Sequence, residues 1–187
     1  MLEKILRRLK RPTRYPREAV VLMLTAFATE MTLSRMILQR LPEETITALG
    51  NLDPIETPLL DLWIINEAVV RTPNTLSDEH IQSLIDGFHL ESYRQFLSQA
   101  LSDGDLRELQ GRLRNRYTQY GELLTELLQG STGAPFALAR VVTRNLFGRE
   151  TSDPVVAVTI GGSVSAAIFS VINALKDVLP RTDFQGA

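Results

Sequence analysis

The sequence predicts an all-α fold, and three observations carry that expectation. Apolar residues recur at i, i+3, i+4 and i+7 in one segment after another, while period-2 alternation is nearly absent. Residues that start helices (Ser, Thr, Asp, Pro) stand ahead of these segments, and glycines stand behind several of them. A chain of 187 residues, 44% hydrophobic and 22% charged, is also long enough to bury a core without staples. We read one domain over 1–187, a compact bundle of about eight helices. A basic amphipathic arm (1–16) leads it, a buried and nearly uncharged C-terminal helix (154–178) closes it, and a flexible tail (180–187) follows.

Leu2, Ile5, Leu6 and Leu9 share one face of the first segment, with Lys4, Arg7, Arg8 and Lys10 around the rest. Pro12 and Pro16 end it, because proline removes a backbone donor and pushes its predecessor out of the α region. A long helix is expected over 17–41. Its start, "AVVLMLTAFA", follows a basic stretch and ends in a small-x-small triplet (Ala26-Phe27-Ala28), so a secretory signal is weighed. Met31, Met36, Ile37 and Leu41 continue the apolar pattern, which suits a helix better than a cleavage site.

"LPEETITALG" reads as a short helix closed by Gly50. In "ETPLLDLWIINEAVVR", Thr57 is expected as N-cap with Pro58 in the first turn, and apolar residues on several faces predict burial. Thr75 and Asp78 resemble a capping box, and Gly87 is expected to break the helix that they open. After Ser102-Asp103-Gly104 comes the clearest amphipathic helix, with Leu106, Leu109, Leu113, Tyr117, Tyr120, Leu124 and Leu127 along its seam and Gly130 at its end. A further helix over 135–147 stops at Gly148.

"PVVAVTIGGSVSAAIFSVINAL" (154–175) holds 22 residues without a charge and starts behind Asp153 as N-cap. That length suffices to cross a bilayer. Its wheel is two-sided, however. Ile160, Val164, Ile168, Val171, Ile172 and Leu175 gather opposite Thr159, Ser163, Ala166, Ser170 and Asn173, a sorting that lipid on all sides would not require. A helix packed by its own domain is therefore favoured over a span.

Few chemistries survive. The chain has no cysteine, which excludes disulfides, zinc–thiolate sites, iron–sulfur clusters and thiol catalysis. His80 and His89 lie near Asp78, Glu79, Asp86 and Glu91 but form no metal-binding pattern. Asp103-Gly104-Asp105 lacks the later ligands of a calcium loop. "GGSVS" lacks the strand–turn–helix setting of a nucleophile elbow, and "GSTGAP" lacks the lysine of a phosphate loop. No general acid, base or nucleophile is assigned, so the expectation is a protein that is not an enzyme and carries no cofactor or metal.

Charge is uneven although the net is −2. Twelve acids stand between Glu43 and Asp105 against Arg71 and Arg94, while 107–149 holds seven arginines and three glutamates. Such bipolarity suits docking to another protein or to a second copy. The expected function is accordingly a protein–protein interaction or self-assembly module in the cytoplasm. A peripheral contact with an anionic membrane, at its inner face, would use Lys4, Arg7, Arg8, Lys10, Arg11, Arg14 and Arg17. Anchoring in the membrane by 154–175 is the alternative, and a helical enzyme or metal protein the third class. Nucleic acid is disfavoured, for lack of a basic net charge, an aromatic platform or a helix-turn-helix pair.

Overall fold

A computed structural model describes residues 14–30 and 33–184, whose regular structure is helical apart from one pair of two-residue strands. In chain order come β1 (Tyr15–Pro16), α1 (Arg17–Glu30), α2 (Leu33–Leu38), α3 (Glu43–Leu49), α4 (Glu56–Arg71) and α5 (Asp78–Ser92). A π-turn over Tyr93–Leu97 leads into the single turn α6 (Ser98–Ala100). Then follow α7 (Asp103–Leu128), α8 (Ala134–Phe147), α9 (Pro154–Leu175), a 3₁₀ turn at Leu179–Arg181, and β2 (Thr182–Asp183).

Helix α4 is the centre of the molecule. Leu59, Leu60, Leu62, Trp63, Ile64 and Ile65 are all buried, and α1, α2, α5, α7, α8 and α9 pack around them. Apolar residues on nearly every face dictate this position, since a helix without a polar stripe has no side to give to water. Trp63 and Tyr120 of α7 tilt against each other with ring centroids 5.0 Å apart.

Four local expectations are corrected. Of the helix expected over 17–41, the described parts are α1 and α2, and α2 stops at Leu38, where turn bonds from Arg40 N to Ile37 O and from Leu41 N to Leu38 O take over ahead of Pro42. The start of α4 is capped one turn earlier than Thr57. The Asp53 carboxylate accepts from Ile55 N at 2.8 Å and Glu56 N at 3.3 Å, and Thr57 Oγ1 donates back to Asp53 O. Ser77, not Thr75, caps α5 by accepting from His80 N. Residues 180–184 are not a free tail: β2 pairs in parallel with β1, Tyr15 opposite Thr182, and the Phe184 ring stacks on His80 at 4.0 Å. Residues 185–187 lie outside the described part of the chain, as do 1–13.

Gly87 does not break α5, which continues through it to Ser92. The residue serves the approach of α1. A Cβ at Gly87 would stand 2.8 Å from Arg17 Nη2 and 2.9 Å from Val21 Cγ2. Arg17 cannot simply swing away without breaking its bonds from Nε to Ser83 Oγ (2.8 Å) and from Nη2 to Ser83 O (2.7 Å). Gly87→Val is therefore expected to lower unfolding free energy by about 1–3 kcal/mol through overpacking, measured by urea titration. Gly111 is the contrast: exposed in α7, with nothing near its would-be Cβ. Gly111→Ala should raise stability by about 0.5–1 kcal/mol, the helix-propensity gain alone.

Candidate functional site

Helix α9 starts as its sequence dictates: the Asp153 carboxylate accepts from Val155 N at 2.8 Å, with Pro154 behind it. Its bulky face is buried, with Ile160, Val164, Ile168, Val171 and Leu175 at most 3% exposed. These residues face α8, α4 and α2. Gly161 lies on Pro135 of α8, where a Cβ would sit 3.5 Å from the proline backbone, in ordinary contact.

Burial stops halfway round, and the expected fully buried helix is corrected to a half-buried one. Val155 is 68% exposed, Val158 60% and Phe169 51%, with Gly162, Ala166, Ser170 and Asn173 exposed between and beside them. No charge interrupts this outward face along its 22 residues. Apolar shoulders continue it on both sides. Met36, 42% exposed, adjoins Ala166 and Ser170 on one flank, where Arg40 Nη1 donates to Ser163 Oγ. On the other flank a cleft of about 400 Å³ lies between Leu124 and Leu128 of α7 and Ile168, Phe169 and Ile172, with Arg71 and Ser165 also in its lining. Of the small residues grouped by the sequence on this face, Ala166, Ser170 and Asn173 are exposed, whereas Ser163 is buried; Phe169 and Val158, which also lie here, were not placed on it. The signal was present, because Phe169 stands three residues from Ala166 and seven from Gly162, on one helical stripe.

The charged clusters have other work. Glu56, fully buried, receives Arg116 through Nε and Nη2 at 2.7–3.0 Å and Arg112 Nη1 at 2.8 Å. Arg112 also bonds Asp53 at 2.9 Å and Glu108 one turn away. The Glu56 hydrogen bonds raise Arg116 above the ordinary guanidinium value. Burial works against Arg112, yet its bonds to Asp53, Glu56 and Glu108 raise it too. The set locks the start of α4 to α7. Asp61 is the other buried acid. It accepts from Ser34 N at 2.5 Å and Ser34 Oγ at 3.0 Å, and burial pushes its pKa up to about 7 against those bonds.

The histidines do not meet. His80 stacks on Phe184, whereas His89 Nε2 bonds Tyr117 Oη at 2.9 Å and burial pushes its pKa down. Among the described residues no group of three His, Asp or Glu side chains is placed to hold a metal. Asp105 completes a capping box with Ser102, and Ser165 Oγ donates to Gly161 O.

Of the seven basic residues singled out in the sequence, two are described. Arg14 is exposed and lies 3.7 Å from Asp183, and Arg17 is engaged with Ser83. Lys4, Arg7, Arg8, Lys10 and Arg11 lie outside the described residues. By length and composition alone, Arg17–Leu38 and Pro154–Arg181 are apolar enough to cross a membrane, a test that core helices also pass. Compared with protein-family models, with curated proteins and with solved structures, the chain matches none.

Proposed function

We propose that the chain is a non-enzymatic interaction module, cytoplasmic, whose working surface is the outward face of α9. The observation that carries this reading is a helix face about 33 Å long, at 1.5 Å per residue, with no charge and with Val155, Val158 and Phe169 more than half exposed. Exposed apolar residues scattered singly need no explanation, but a continuous set with apolar shoulders is what a docking surface offers. The Glu56 cluster supports the same reading, because its carboxylate is taken up by Arg112 and Arg116 of the fold itself. A bundle-like arrangement, with α4 inside and α9 as an outer helix, supplies the rigid platform that such a face requires.

The test is a photo-crosslinking amino acid at Val158 in cells expressing the chain. Covalent adducts are expected, and they should vanish when Phe169→Asp is added while the circular dichroism spectrum stays unchanged. Absence of adducts at 158 would sink the reading.

A weaker surface contact is proposed for the basic arm, of which Arg14, exposed and beside Asp183, is a described member. Changing Arg7, Arg8, Lys10 and Arg11 together to Glu should abolish flotation with anionic vesicles. Anchoring by 154–175 is the less favoured reading, since the burial of Ile160, Ile168 and Leu175 against α8, α4 and α2 would have to be undone first.

A further inference from the structure

Taking the outward face of α9 as the working surface, we infer that its partner is a second copy of this chain. The two α9 helices pair antiparallel about a two-fold axis at the level of Gly162 and Ala166. Self-association through one patch requires that the patch complement itself. An axis at that level relates residue i to residue 328 − i of the other copy, give or take one helical position. It lays Val158 on Phe169, Thr159 beside Ser170, and Gly162 on Ala166. Apolar then meets apolar, hydroxyl meets hydroxyl, and the two smallest residues meet where the backbones come closest. Nothing within 4 Å occupies the space outside Gly162, so that approach is open.

Charge selects the direction. Asp153 heads the helix and Lys176 follows its last turn. Antiparallel pairing sets Asp153 of each copy near Lys176 of the other and opposes the helix dipoles; parallel pairing would set Asp153 beside Asp153. Area agrees. Val155, Val158, Phe169, Met36 and Leu128 expose on the order of 400–500 Å² between them, within the roughly 300–600 Å² of a monomer's largest apolar patch, which is often functional. That is at least half of the roughly 800 Å² per partner of a standard interface. α9 itself carries no charge, so the like charges that two copies bring together are those of its flanks, where Arg40 reaches Ser163.

The experiment combines sedimentation with thiol crosslinking in the cysteine-free chain. The wild-type chain should sediment as a dimer at micromolar concentration. Gly162→Leu fills the contact without touching its own fold, so it should weaken the dimer at least tenfold while the melting temperature holds or rises. Thr159→Cys mixed with Ser170→Cys should give disulfide-linked pairs on mild oxidation, while neither variant alone should. Residues 159 and 159 of two antiparallel copies are about 15 Å apart along the axis, too far for a disulfide. Crosslinking of either variant with itself would overturn the antiparallel pairing. A monomer at every concentration would overturn the second copy as partner. If the Val158 photo-adduct then carries a foreign protein, a lipid, or residues 1–13 of the same chain, the docking face survives with a different occupant. If no adduct forms at all, the docking face itself has failed.

Discussion

Glu56→Ala is expected to destabilise the fold by about 3–5 kcal/mol, the usual result of breaking a buried ion pair by removing one partner. Glu56 has no exposure, and its two arginines close over it from one face of α7. Arg112 keeps Asp53 and Glu108 when Glu56 is removed. Arg116 keeps no carboxylate partner among the described residues, but it is partly exposed and can rehydrate. Arg116→Met should therefore cost less than Glu56→Ala, because Glu56 retains Arg112. The combination Glu56→Leu with Arg116→Met should recover part of the loss, since apolar replacement of a buried pair is often neutral. Urea titrations of these variants and of Glu56→Leu alone measure this order, and a coupling between Glu56→Leu and Arg116→Met below about 0.5 kcal/mol would refute it.

Acid should loosen the same lock. Burial pushes Asp53 up, but the Arg112 hydrogen bond, the backbone donors at Ile55 and Glu56 and the Arg112 charge outweigh it and hold Asp53 below the usual carboxylate value. A native pKa lowered in this way contributes stability above the unfolded value of 3.8, and that contribution is lost as the pH falls through the native one.

The helical class was legible because periodicity and caps are local. Asp153, Ser102 and Gly148 do what their letters imply, and the seam of α7 buries Leu106, Leu109, Tyr120 and Leu124 as spaced. What escaped depends on neighbours distant in sequence. Gly87 reads as a breaker until α1 is laid across it. Asp53 reads as a loop residue until Arg112, 59 positions later, holds it where it caps α4. Residues 182–184 read as a tail until Tyr15 and His80 meet them. The π-turn after α5 has no glycine or proline to announce it. Helix 154–175 was read as wholly buried because it has no charge, yet its small outward residues and one phenylalanine leave that side open. An uncharged exposed face is itself a departure from ordinary surface chemistry, and this is why it carries the functional proposal.

Asp61 is where pH should act most strongly, and in the opposite direction to Asp53. Burial raises its pKa to about 7 from 3.8, against the two hydrogen bonds from Ser34. The native state therefore keeps this proton across a range in which the unfolded chain has lost it. Stability falls as pH rises between the two values, by about 1.4 kcal/mol per unit, for a total on the order of 4 kcal/mol. Asp61→Asn mimics the protonated acid: its oxygen still accepts from Ser34 N, and its amide donates to Ser34 Oγ. The variant should match the parent near pH 4 and exceed it by several kcal/mol above pH 8, with the negative slope from pH 4 to 7 removed. Asp61→Ala separates charge from hydrogen bonding. It also removes the slope, but it leaves Ser34 N without its acceptor at every pH, at about 1–3 kcal/mol. A parent whose stability does not decline from pH 4 to 7 relative to Asp61→Asn would mean that the Asp61 carboxylate is ionised inside the fold at little cost, contrary to its burial between α4 and α2.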